Sequence, residues 1–306
     1  MAISVSVGVC AYNEAARVRA MLESLRSQTV PPPFVIGEIL VVASGCTDGT
    51  EAEVQRVAAA DPRIQLIREA ERRGKASALN RILAAYQGAI LVLVNADARL
   101  APGALDALLR AFDDAPDTVV ACGAAVPEAE EGISGRVEEV QWDLHNRILA
   151  IQSTRNQDNH CCDELMATRR GFVDSLPPDL INDGAYLGVL AALSGRTVRF
   201  CTEARVYVHT PRSVRGLVEQ RRRILRGHRQ IRRMLRRSPS TLERLSMRDP
   251  ALAARILADE IRKRPLALPL LLLVALPLEL ASAVLAISDE FRGSGYTPVW
   301  PKVDYL

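Results

Sequence analysis

The chain has 306 residues, of which 48% are hydrophobic, 25% charged and only 4% aromatic. That is a globular composition, large enough for one big domain or two small ones and too apolar for a disordered chain. The net charge of +3 excludes a chain basic throughout, yet nine arginines face a single glutamate between Glu219 and Arg237, so positive charge is a local patch.

In chain order, "ISVSVGV" predicts a strand, followed by a helix from Ala15 to Ser27. "EILVV" predicts a second strand, and "CTDGTEAEVQRVAAA" a turn leading into a helix. "IQLIR", "KASALNRILAAY", "AILVLV", "GALDALLRAF" and "TVVACGAAV" continue the alternation to about residue 125. Short apolar runs between amphipathic helices imply βαβ units and a largely parallel sheet covered on both faces. Ligands of such sheets sit at the carboxyl ends of the strands. Tyr12-Asn13-Glu14, the Ser44 to Asp48 turn and Asn95-Ala96-Asp97 all fall there. Side chains alternate along a strand, so Asn95 and Asp97 can project to the same side, to grip a metal or polyphosphate or merely to shape a turn.

From about Pro127 the pattern changes. Ile133 to Gln152 reads as a helix, "DELMATRRG" as holding a short strand, Asp183 to Ser194 as a helix and "TVRFCTEARVYV" as extended chain. His160-Cys161-Cys162-Asp163 reads as loop, because adjacent ligands rarely share one tetrahedral metal site. The six cysteines (Cys10, Cys46, Cys122, Cys161, Cys162, Cys201) lack paired zinc spacing. They imply reduced thiols in a cytoplasmic setting rather than a disulfide framework. No basic stretch precedes the first apolar run, so no signal peptide is expected.

Six segments carry a family resemblance: "CAYNEAARVRAMLESL", "VVASGCTDGT", "RRGKASALN", "VNADARLAPGAL", "INDGAYL" and "QRRRI". In content and order they resemble the family 2 glycosyltransferases, GT-A-fold enzymes with nucleotide-sugar donors, over roughly residues 4 to 230. The resemblance implies nucleotide contact by Tyr12, Asn13, Glu14 and Lys75, with Asp48 either touching the nucleotide or bracing its loop. Asp97 would be the metal-contacting member of the Asp-x-Asp pair, holding a divalent cation (Mn or Mg) on the donor diphosphate. Asn95, in the first Asp position, could still bond a ribose hydroxyl. Asp183 would be the base of an inverting transfer, with Glu164 next in line. Gln220 and Arg223 match the Gln-x-x-Arg box, the arginine meeting diphosphate or acceptor. Ala43, Ser44, Asn95 and Asn182 stand where the family has acids. They leave open a non-catalytic nucleotide-sugar-binding relative, and more weakly a nucleotidyltransferase.

Arg222, Arg226, Arg229, Arg233 and Arg236 form one helical stripe ahead of an apolar run from Leu266 to Ile287. The run is long enough to cross a bilayer, although Pro269, Pro277 and Glu279 interrupt it. A basic amphipathic helix beside such a run favours an anionic membrane surface over nucleic acid. A solvated stripe and a buried core helix are the plain alternatives. Arg262-Lys263-Arg264 would keep the catalytic part on the cytoplasmic side of the cell membrane. The expectation is therefore a mixed-sheet GT-A-like domain over 1–235 and a helical region over 236–306, its apolar membrane segment at 266–287. It would move a sugar to a lipid-linked or glycan acceptor.

Overall fold

The computed structural model describes residues 2–113, 115–128, 132–155, 160–211, 213–265, 267–292 and 299; within the last helix, side chains are described from 271 onward. Leu266 and the tail after 292, apart from 299, lie outside the described residues. At the centre is β1 (Ile3–Ala11), whose Val5, Val7 and Val9 are fully buried. It pairs in parallel with β2 (Phe34–Ser44) and β4 (Ile90–Asn95), and β3 (Ile64–Glu69) lies parallel outside β2. The helices α1 (Val18–Arg26), α2 (Thr50–Ala58) and α3 (Lys75–Ala85) make the crossovers. After β4 come a two-residue β5 (Arg99–Leu100), α4 (Ala104–Asp113) and β6 (Thr118–Pro127).

The sheet is mixed, as expected: the strands of the first ninety-odd residues, β1 to β4, are parallel, and the reversal comes after them. The order is β3-β2-β1-β4-β7-β6-β8-β5, and β7 (Leu165–Arg169) runs antiparallel to both β4 and β6. The reason lies in α5 (Ile133–Thr154), which follows the carboxyl end of β6. The chain re-enters the sheet beside the carboxyl end of β4, where Asn95 N–H meets the Glu164 carbonyl at 3.4 Å. The next strand must then run the opposite way. This reversal delivers Asp163 and Glu164 to the end of β4.

α6 (Asp183–Leu193) begins beside the same place, capped by Asn182 Oδ1, which accepts from Ala185 N–H at 3.0 Å. Gly184 permits the approach, since a Cβ there would lie 2.5 Å from the Cys161 carbonyl oxygen. β8 (Thr197–Val208) completes the sheet, parallel to β6 and antiparallel to β5.

Four helices follow: α7 (Val214–Leu235), α8 (Leu242–Arg248), α9 (Pro250–Lys263) and α10 (Ala267–Phe291). Val140, Leu144 and Ile148 of α5 form a second small core with Leu245 of α8 and Leu252 and Ile256 of α9, and Leu271 and Leu272 pack against it. Within Leu271–Phe291, an 18-residue window has a mean hydropathy of 2.2, yet only 11% of that window is buried. This is not the burial of a core helix. Leu273, Leu276, Leu280, Val284, Ile287 and Phe291 are exposed, at the helical spacing of one stripe.

The arginine stripe of α7 is paired with acids of α10 over four of its five members, although Arg233 and Arg236 remain exposed. Arg222 and Arg226 bond Asp289 at 2.6 Å and 2.9 Å, and Arg229 and Arg233 bond Glu290 at 2.6 Å and 3.1 Å. The acidic end of α10 thus lies along the stripe. Farther back, Ser282 donates to the Val218 carbonyl and Gln141 donates to Glu279.

Candidate functional site

The polar groups after β1, β4 and the loop before β7 open into one cavity of about 670 Å³. Tyr12, Glu14, Lys75, Asn95, Asp97, Gln220 and Arg223 all line it, as do Asp163 and Glu164. Elements distant in sequence converge here because parallel strands present their carboxyl ends to one side of the sheet.

Tyr12 is covered by Arg72, whose guanidinium lies 3.7 Å from the ring centroid. Asn13 and Asp48, by contrast, do not line the cavity. Asn13 takes a positive φ of 54° and its Oδ1 accepts from Thr47 N–H at 2.8 Å. Asp48 accepts from Ala15 N–H and from Thr50 N–H at 3.1 Å and 2.9 Å. These two side chains tie the strand-end loops of β1 and β2 together.

Lys75 is the first residue of α3, after Gly74 with φ 97°. Its ammonium lies 3.1 Å from Asp163 and 3.2 Å from Asp183. Burial works against its charge, but the carboxylates of Asp163 and Asp183 outweigh that and hold the lysine protonated. Asp183 is buried behind it, facing a small void beside Asp163 and Asn95 rather than lining the main cavity. Burial raises the Asp183 carboxyl and Lys75 opposes the rise. Burial would also raise Asp163, but there Lys75 prevails and the carboxyl is held low. Glu164 is raised, first by burial and then by the charges of Asp163 and Asp97. It accepts from Asn95 Nδ2 at 2.7 Å. Asn95 thereby directs its amide nitrogen to the neighbouring Glu164 carboxyl.

Deeper in the cavity the wall is formed by α5 and α7. Glu138 is pushed up to about 7 by burial, with Arg221 opposing. Trp142 Nε1–H donates to it at 3.1 Å. His145, His160 and His228 form a column of edge-to-face rings, with centroids 5.0 Å and 5.3 Å apart. His160 Nδ1 donates to the Ser240 carbonyl at 2.8 Å. Sequence reading missed Asp163, Arg72 and this inner wall, and it ranked Glu164 only second. A hint was available in "CCDELMATR", where an acidic pair directly precedes a strand.

A mixed sheet with helices on both faces, and a polar cleft at the carboxyl ends of β1 and β4, define a GT-A-type fold. Residues 6–176 match the profile described as Glycosyl transferase family 2, and the chain belongs to that family. It is 25% identical to the mannosyltransferase PcManGT from Pyrobaculum calidifontis, solved in complex with GDP-Man and Mn2+, with a TM-score of 0.65 over 96% of this chain and 80% of that one. It is 30% identical over 122 residues to EpsH of Bacillus subtilis (strain 168), which carries a provisional glycosyltransferase name; the match covers 40% of this chain. With glycosyltransferase AglE of Haloferax volcanii it shares 33% identity over 93 residues, 30% of this chain. These matches span only 34% and 30% of the two relatives' own lengths.

Proposed function

We propose that this protein is a glycosyltransferase that takes a nucleotide-diphosphate sugar with a divalent cation and transfers the sugar with inversion to a lipid-linked or glycan acceptor at a membrane. The observation that carries the reading is the convergence of Tyr12, Lys75, Asn95, Asp97, Gln220 and Arg223 on one cavity. The donor bound by the Pyrobaculum neighbour, GDP-Man with Mn2+, supports this donor class and the metal.

The carboxylates of Asp97, Asp163 and Glu164 share the cavity with Lys75, and the first two raise the pKa of the third. Such an excess of negative charge fits a divalent cation. No group of three protein ligands is assembled for one among the described residues, so Asp97 would hold it together with the donor diphosphate. Bound there, it supplies Lewis-acid help to the departing diphosphate. Arg223 and Lys75 face the same charge from the protein side. The acceptor oxygen forms its bond to the anomeric carbon as the sugar–phosphate bond breaks. The nucleoside diphosphate leaves. The acceptor's proton passes to Asp183 once Lys75, which lines both the cavity and the small void holding Asp183, swings from that carboxylate towards the diphosphate.

Membrane association rests on the exposed apolar stripe of α10. Both ends of that helix are held by the catalytic body, at Leu271–Leu272 and at Asp289–Glu290. A helix so tied lies in the interface with one face inserted, rather than crossing the bilayer. On this reading residues 1–235 form the catalytic unit and 236–306 the membrane-facing region.

Titration calorimetry of a panel of GDP- and UDP-sugars in Mn2+ tests the donor end. Asp97→Ala is expected to abolish the metal-dependent part of donor binding, and Asn95→Ala only to weaken it. Unchanged affinity in Asp97→Ala removes the metal role.

A further inference from the structure

The cavity does not stop at the donor end. Beyond Gln220 and Arg223 it continues between α5, α8 and α10, where Val140, Leu144, Leu242, Leu272, Ala275 and Leu276 form its wall. A collar of polar groups divides the two halves: Glu138, Gln141, Arg221, His228 and Glu279. Arg221 Nε lies 2.6 Å from Glu279 Oε1, off the axis of a hydrogen bond. Gln141 Oε1, Gln220 Oε1 and His228 Nε2 are buried with no hydrogen-bond partner among the described residues. Buried polar atoms left so are costly unless a ligand or water completes them. One end is therefore charged, the middle offers unused hydrogen-bonding capacity, and the far end is apolar.

An extended glycan needs hydroxyl contacts along its whole length, and the far arm, although Thr241, Glu243 and Ser246 also line it, is walled mainly by aliphatic side chains. Apolar surface of this kind is satisfied by hydrocarbon. The arm also reaches the molecular surface at a telling place. Leu276 lines the cavity and is itself exposed, in the same stripe as Leu273 and Leu280. A chain leaving the arm would meet the face of α10 assigned above to the membrane.

The geometry points to a binding site for a single hydrocarbon chain in the apolar arm, so that the acceptor is a lipid. Its polar head, a hydroxyl or a phosphate, lies at the collar beside Arg221 and Arg223. This rests on the glycosyl-transfer reading of the donor end.

Trp142 lines the cavity at the collar and makes a test possible without activity. In a Trp300→Phe protein it is the sole tryptophan. Dibromostearate, kept monomeric, is expected to quench its fluorescence saturably. Unbrominated hexadecyl phosphate should reverse the quenching, whereas inorganic phosphate and maltohexaose should not. Ala275→Phe and Ser246→Phe fill the arm from two different helices. Each, with circular dichroism and melting like the parent, should weaken chain binding about tenfold or more. Absence of quenching in the parent, or undiminished quenching in both variants, overturns the chain site. Hydrolysis of a nucleotide sugar by water, measured on the same proteins, should be unchanged by either variant. If the parent quenches but neither binds nor hydrolyses any donor, the donor reading falls and the chain site stands.

Discussion

Around Lys75, three carboxyl groups of similar chemistry occupy different environments, and those environments assign them different work. Asp163 is kept ionised by Lys75, Glu164 is driven towards its neutral form, and Asp183 lies buried on the far side of the lysine. A base is most effective when its pKa sits near the working pH, which suits a carboxyl whose burial and ion pair pull in opposite directions. Asp183→Asn should retain donor binding and lose transfer by about a hundredfold or more, the scale of general-base removal. Glu164→Gln is the comparison. If it alone loses turnover while Asp183→Asn stays near normal, the proton goes to Glu164. Asp97, Asn95 and Lys75 could be singled out from the sequence because they sit in short motifs at strand or helix ends, and Gln220 and Arg223 because they share a short motif inside α7. Asp163 could be noticed as half of an acidic pair before a strand but not placed, because its position depends on the antiparallel return of β7, which no local pattern encodes.

Helices and strands were readable where periodicity had length to act on. "TVRFCTEARVYV" is β8 from end to end, and the helix expected from Asp183 begins there. α1 starts at Val18 rather than Ala15, because the preceding residues are drawn into the loop: Glu14 N–H donates to Thr50 Oγ1 and Ala15 N–H to Asp48. Two-residue β5 is too short to leave a periodic trace. The α7 stripe was plain as a pattern, but its counter-charges lie at Asp289 and Glu290, far along the chain. Arg226 and Asp289 are both nearly buried, and removing one partner of a buried pair typically costs about 3–5 kcal/mol. Asp289→Ala should lower stability on that scale in urea titrations, and Asp289→Asn less; an unchanged midpoint would mean the pair is not held in solution. The histidine column gives a second element-scale expectation. Burial, then the neighbouring His160 and Arg221, lower His145 to about 3 from an ordinary 6.5. The unfolded chain then binds more protons between those values, so this contribution is full above about pH 6.5 and is lost as pH falls. His145→Gln should therefore show a shallower loss of melting temperature from pH 7 to pH 5 than the parent, and identical slopes would count against the buried neutral ring.

For the molecule as a whole, an interfacial helix and a spanning one behave differently in washes. A spanning segment resists both high salt and alkaline carbonate, whereas an in-plane helix resists salt, because its hold is apolar, and yields to carbonate. The intact protein is expected to follow the second pattern in membrane fractionation. Retention through carbonate would restore the spanning alternative, and release by moderate salt would show that the leucine stripe of α10 never enters lipid. The length and apolarity of this segment were plain in the sequence; that both its ends return to the catalytic body was not, since the contacts run to α5 and α7. The pairing of α10 with α7 also bears on how shortened forms of this protein should be interpreted. A fragment ending before α10 strips four guanidiniums of the carboxylates now held against them. Such a helix would adsorb ribosomal RNA, heparin resin and anionic vesicles alike through screened, salt-reversible attraction. The acidic terminus of α10 is thus a built-in polyanion mimic, and promiscuous stickiness in a trimmed fragment would report its removal rather than a natural ligand.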